Sequence, residues 1–156
     1  MLVLSSPVKL RRKFAILVLL APLALTACTS DKGPTAAQAG QTLKIHILQL
    51  LKERSAADVK VTDAGGNDIP CGEGKAKRTF AATGRDSAGS SDPEALNTLL
   101  VGALSRVAKY EVVSAGAPGA PIRVVNSTTR TALVFNSPGN SLYVVTGQTE
   151  CLPVFD

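Results

Sequence analysis

Asp92-Pro93-Glu94-Ala95-Leu96-Asn97-Thr98-Leu99-Leu100-Val101-Gly102-Ala103-Leu104-Ser105-Arg106-Val107 sets the class of this fold. An aspartate able to cap, a proline at the first helical position and an acid in the first turn together mark a helix start. Leu96, Leu99, Leu100, Ala103, Leu104 and Val107 then recur at helical spacing and form one apolar stripe that another element must cover.

After this helix the period changes. Residues 111–114, 122–125, 131–135 and 142–146 are short β runs. They are separated by turn chemistry at Gly116-Ala117-Pro118-Gly119-Ala120-Pro121 and Ser137-Pro138-Gly139-Asn140. Short turns join antiparallel neighbours, whereas parallel strands need crossovers of about a dozen residues or more. A meander is therefore expected, with Phe135 and Tyr143 as cross-strand partners.

Upstream of the helix, Thr35-Ala36-Ala37-Gln38 fits a capping box. Leu43, Ile47, Leu50 and Leu51 follow on one helical stripe, which Ile45 and Leu48 widen, up to Arg54. Gly40 weakens the first turns by about 1 kcal/mol relative to alanine, which places the start of regular helix near Gln41. Residues 59–61 read as a strand, 64–68 as a turn, 69–74 as a loop, 77–83 as a strand around Phe80, and 85–91 as a polar linker. The expected class is α+β, with two helices packed on one face of a mainly antiparallel sheet.

The N-terminal segment has a separate logic. Lys9, Arg11, Arg12 and Lys13 precede an apolar run over residues 14–25, and Leu25-Thr26-Ala27-Cys28 closes it. A basic region, a short apolar region and small residues before a cut form a secretory signal. A cysteine immediately after the cut makes the tetrapeptide a lipobox and Cys28 the expected lipid attachment site. The run is too short for a transmembrane helix, which needs about 20 apolar residues. Arg11-Arg12-Lys13-Phe14 also approaches a twin-arginine motif, but Leu10 stands where serine or threonine usually precedes it, so general secretion is favoured. The expected organisation is a signal peptide over 1–27, a flexible tether over 28–35 and a single α+β domain over 36–156.

Cleavage would remove four of the 17 cations and none of the 12 acids, leaving 13 against 12. Without a basic patch the mature domain has no electrostatic footprint for nucleic acid. Of the three cysteines, Cys71 and Cys151 remain once Cys28 carries lipid, and an exported chain favours a disulfide between them over two free thiols. Such a bridge closes a loop of about 80 residues, for which chain entropy gives a stabilisation of roughly 4 to 5 kcal/mol. Two cysteines and a distant histidine do not make a zinc set, so no metal and no cofactor are expected.

Catalytic signals are sparse. His46 is the only histidine and has no partner visible in sequence, so a surface or packing role is favoured over general-base chemistry. Gly72-Glu73-Gly74-Lys75 departs from a phosphate loop, because Ile69 and Ala76 occupy the positions of its first glycine and its hydroxyl residue. Lys75, Lys77 and Arg78 form a basic cluster suited to an anionic headgroup or wall polymer, though a solvated strand face is the simpler reading. Asp58, Asp63, Asp68, Asp86 and Asp92 lie in turns and at helix starts. A glycosidase would need two of them a few ångströms apart. The absence of tryptophan argues against stacking platforms, and Asn126-Ser127-Thr128 is taken as a turn.

With the lipobox, Cys71 after the first helix, the Asp92-Pro93 helix and the closing Thr146-Gly147-Gln148-Thr149-Glu150-Cys151-Leu152, the chain resembles small secreted actinobacterial lipoproteins, notably the mycobacterial LppA-like group. The resemblance implies an extracytoplasmic protein held at the cell membrane by S-diacylglycerol on Cys28, with no catalytic residues to transfer. The functional expectation is a non-enzymatic envelope module whose partner is an envelope protein or polymer. The alternatives are a carrier of a small apolar ligand between helices and sheet and, less favoured, an envelope hydrolase.

Overall fold

A computed structural model describes residues 33–155; the signal segment and Cys28 lie outside the described residues. The α+β class is as expected. Helix α1 (Ala36–Glu53) and helix α2 (Pro93–Ala103), the latter extended by a 3-10 turn over Leu104–Arg106, pack on one face of a six-stranded sheet. Its strands are β1 (Ala57–Asp63), β4 (Thr79–Arg85), β5 (Glu111–Ala115), β6 (Ile122–Asn126), β7 (Thr131–Phe135) and β8 (Leu142–Thr149). They run in the order β1-β4-β8-β7-β6-β5, and every neighbouring pair is antiparallel. A smaller sheet holds β2 (Ile69–Gly72), β3 (Lys75–Lys77) and β9 (Leu152–Pro153) in the order β2-β3-β9.

The capping box forms as written in the sequence: Thr35 Oγ1 accepts from the Gln38 N–H at 3.3 Å, and Gln38 Oε1 accepts from the Thr35 N–H at 2.9 Å. Thr35, the last residue of the expected tether, is thus the buried N-cap of α1. The helix is regular from Ala36, not from Gln41, because Gly40 is covered by tertiary structure: a Cβ there would lie 2.7 Å from Arg78 Cδ. Packing of Ala36 and Ala39 against Ala76 and Leu152 of the small sheet outweighs the local propensity cost. Leu43, Ile47, Leu50 and Leu51 are buried as expected and Leu48 packs at the margin, but Ile45 points away and is half exposed.

Two local readings are corrected. Residues 69–74 are not a loop: Ile69–Gly72 pairs with Lys75–Lys77, and Gly74, at φ +63°, turns the hairpin. The expected strand over 77–83 divides at Arg78, so that β3 joins the small sheet and β4 the large one. A disulfide joins Cys71 to Cys151 with Cα atoms 5.9 Å apart, tying β2 to the segment that enters β9. Phe135 faces Val145 rather than Tyr143, which lies opposite Gly84. The slip of two residues follows from the connection between the strands, where the Asn136 N–H still bonds the Val144 carbonyl and the chain turns only at Gly139–Leu142.

Strand alternation divides the large sheet between two environments. Phe80, Ala82, Val124, Leu133, Phe135, Tyr143 and Val145 face the helices and are buried with Leu96 and Leu100. Gly147 sits among them. A Cβ on it would come within 2.6 Å of Leu43 Cδ1, 3.0 Å of Ile47 Cδ1 and 3.0 Å of Leu133 Cδ2, so the missing side chain is what admits α1 to the sheet.

Candidate functional site

No helix covers the other face of the large sheet among the described residues. Its side chains fall into rows fixed by register. One row crosses all six strands: Asp63, Ala81, Thr146, Val134, Arg123 and Ser114 are successive cross-strand partners. The row beside it runs Thr79, Gln148, Ala132, Val125 and Glu111. Between Asp63 and Arg123, Ala81, Thr146 and Val134 of the first row and Thr79, Gln148 and Ala132 of the second line a groove of about 360 Å³. Ala81 and Ala132 form its sheltered floor.

Asp63, at one end of the long row, and Arg123, one strand short of the other end, carry opposite charge. Asp63 accepts from Thr79 Oγ1 at 2.6 Å and from the Gly65 N–H at 2.9 Å, and these two bonds hold its carboxyl below the usual range. It is therefore a firmly anionic, fixed group. Arg123 is exposed and has no carboxylate within ion-pair distance among the described residues. With strands about 4.8 Å apart, four steps separate the two residues by roughly 19 Å.

The other candidate groups are engaged in structure. Asp68 is paired with Arg78 at 2.7 Å, which removes Arg78 from the basic cluster of the sequence reading, while Lys75 stays exposed on β3. Asp92 caps α2 by accepting from the Ala95 N–H at 2.7 Å. Asp58 stands at a register shift of β1 with φ +49°. Asn126 Oδ1 accepts from the Thr129 N–H at 3.0 Å, the turn expected there.

Asp86 corrects the reading of 85–91 as a polar linker, because it is buried. Tyr143 donates to it at 2.7 Å and the Ser90 N–H at 2.9 Å, while Arg54 lies 3.9 Å away. The tyrosine bond first, then the Ser90 bond, holds its carboxyl low against the opposing effect of burial. Asp63 contacts the first residue of β4 and Asp86 follows its last, so about 20 Å of strand lies between them. That span is too long for the paired carboxylates of a glycosidase.

His46 has a partner that its sequence neighbours do not reveal. Its Nδ1 is 2.9 Å from Tyr110 Oη, which is 2.9 Å from Thr131 Oγ1, which in turn is 2.8 Å from Thr129 Oγ1. Burial lowers the His46 pKa and raises that of Tyr110, so both are neutral at pH 7. Each of these bonds can run in either direction with the histidine tautomer and hydroxyl rotors, and the chain ends on hydroxyls with no acid to support a general base. Among the described residues no three His, Cys, Asp or Glu side chains converge as a metal site would require, and no helix is long and apolar enough to cross a membrane.

The row from Asp63 to Arg123 was not legible in the sequence, because it exists only once register is known. The available signal was alternation: in Ile122-Arg123-Val124-Val125-Asn126 the arginine must face away from the side that buries Val124. No family model, no curated protein and no solved structure matches the chain.

Proposed function

We propose that this chain is a lipid-anchored bacterial envelope lipoprotein, of the LppA-like kind it resembles, acting as a non-enzymatic interaction module through the uncovered sheet face. The observation that carries the proposal is that face itself: a six-stranded surface with a small-residue floor between a fixed anion on β1 and, on β6, a cation that has no ion pair among the described residues. Uncovered faces with an apolar centre and a polar rim are where soluble domains meet partners. The lipobox supplies the membrane half of the proposal, with Cys28 as the single lipid-bearing residue.

The carrier alternative finds less support. The space between helices and sheet is filled by Leu43, Ile47, Leu100, Phe135 and Tyr143, with Gly147 allowing the closest approach. A hydrolase is disfavoured by carboxylates at opposite ends of β4 and by a histidine whose neighbours are hydroxyls.

Two substitutions test the two halves of the proposal. Cys28→Ala abolishes labelling of the full chain by a fatty-acid probe and releases it from membranes; retained labelling refutes the anchor. Val134→Arg leaves the unfolding midpoint nearly unchanged, since Val134 lies outside the core, yet removes the protein's crosslinked neighbours in intact cells. Unchanged neighbours refute the face.

A further inference from the structure

We infer that the occupant of the uncovered sheet face is a second copy of this chain, stacked face to face about a two-fold axis that lies midway between the two sheets, parallel to β8 and over Thr146. The inference rests on the reading of that face as the interaction surface and names its partner. The stretch of the long row from Asp63 to Arg123, five strands wide, is self-complementary about Thr146. From Thr146, Asp63 lies two strands away on one side and Arg123 two strands away on the other, while Ala81 and Val134 lie one strand away on either side.

A two-fold axis between the sheets and parallel to β8 reverses the order of this five-strand stretch. Asp63 of each copy then lies over Arg123 of the other, Ala81 lies over Val134, and Thr146 meets its own mate. An isologous contact demands this arrangement, because one patch has to complement itself. The two ion pairs of the dimer arise from one anion and one cation per chain. A partner of different charge pattern would have to match Asp63 and Arg123 across roughly 19 Å by coincidence. Stacked sheets lie about 10 Å apart; the short side chains at the centre admit a closer approach there, and at the two sides arginine reaches to aspartate.

The neighbouring row fits the same operation, with Gln148 meeting its mate and Thr79 lying over Ala132. Glu111 and Ser114, on β5, overhang the contact and meet no like charge. Lys60, one row along β1 from Asp63, falls opposite the entry to β6, where Pro121 precedes Ile122. The sheet edges are less suited to pairing. Register shifts interrupt β1 after Ala57 and after Val61, and β5 between Val112 and Ser114, and interrupted edges disfavour extension of a sheet.

Charge reversal in two differently tagged full-length chains, co-expressed and extracted from membranes in mild detergent, tests the inference. Two wild-type copies co-purify. Two Arg123→Glu copies lose at least about tenfold in co-purification, because both ion pairs become repulsive. Two Asp63→Lys copies do the same. Arg123→Glu with Asp63→Lys restores co-purification, since each face then meets its opposite. Asp63 also holds the Gly65 turn, so Thr146→Arg, which places like charges on the axis, is the control for misfolding: it should abolish co-purification with the Cys71–Cys151 bridge intact by mass. Absence of wild-type co-purification, or failure of the mixed pair to recover while Thr146→Arg copies still associate, overturns the dimer. If the wild-type copies stay apart but crosslinks from the face to another protein persist, the dimer is overturned and the interaction face stands.

Discussion

Leu43 of α1 rests directly on Gly147 of β8, so closely that a methyl group on the glycine would stand 2.6 Å from Leu43 Cδ1. The contact sets the distance between helix and sheet. Gly147→Ala should destabilise the fold by about 1–3 kcal/mol, the range for overpacking a filled core. Gly102→Ala is the counterpart: nothing lies within 4 Å of its would-be Cβ and it sits inside α2, so it should stabilise by roughly 0.4–1 kcal/mol. Urea unfolding of both variants checks the pair, and a neutral Gly147→Ala would mean that α1 sits less closely.

The Tyr143–Asp86 bond gives an acid-side prediction. Asp86 has a folded pKa below its unfolded value, so its contribution is fully present above the ordinary carboxylate range and is lost as pH falls through the folded pKa. Tyr143→Phe removes the largest cause of that depression. It should cost about 1–3 kcal/mol at neutral pH, with the deficit shrinking as both proteins are acidified below pH ~4. A deficit independent of pH would show that the hydroxyl acts by packing alone.

His46 gives a second prediction in a different window. Burial holds its folded pKa below the unfolded value of about 6.5, so the unfolded chain binds more protons and stability falls as pH drops from ~6.5 toward the folded pKa. His46→Gln keeps a hydrogen-bonding partner for Tyr110 and has no titration there. Unfolding free energies of the variant should be flatter than wild type between pH 7 and 5, about the range of that titration. An identical slope would place the protonation elsewhere.

Much of the fold was legible because local and tertiary signals agree. Asp92-Pro93 and Thr35-x-x-Gln38 carry capping chemistry that needs no distant partner, and both helices start where that chemistry places them. Readings failed where a distant residue decides. Gly40 looks like a weak point until Arg78 packs over it, and residues 69–74 look like a loop until β3 and the disulfide hold them extended. Asp86 looks like linker until Tyr143, 57 residues later, buries and bonds it. The candidate site was the least legible part. Asp63, Thr146 and Arg123 are unremarkable in sequence and become one row only through the pairings of β1, β4, β8, β7 and β6. The opposite charges at its ends follow from register and could not be read from composition.

The claim that the uncovered sheet face is the working surface is tested most directly by photocrosslinking in intact cells, with the reactive residue placed at Thr146 on that face or at exposed Ile45 on α1. A discrete adduct is expected from Thr146 that disappears on Val134→Arg, and none from Ile45. Equal adducts from both positions, or a Thr146 adduct indifferent to Val134→Arg, would contradict it.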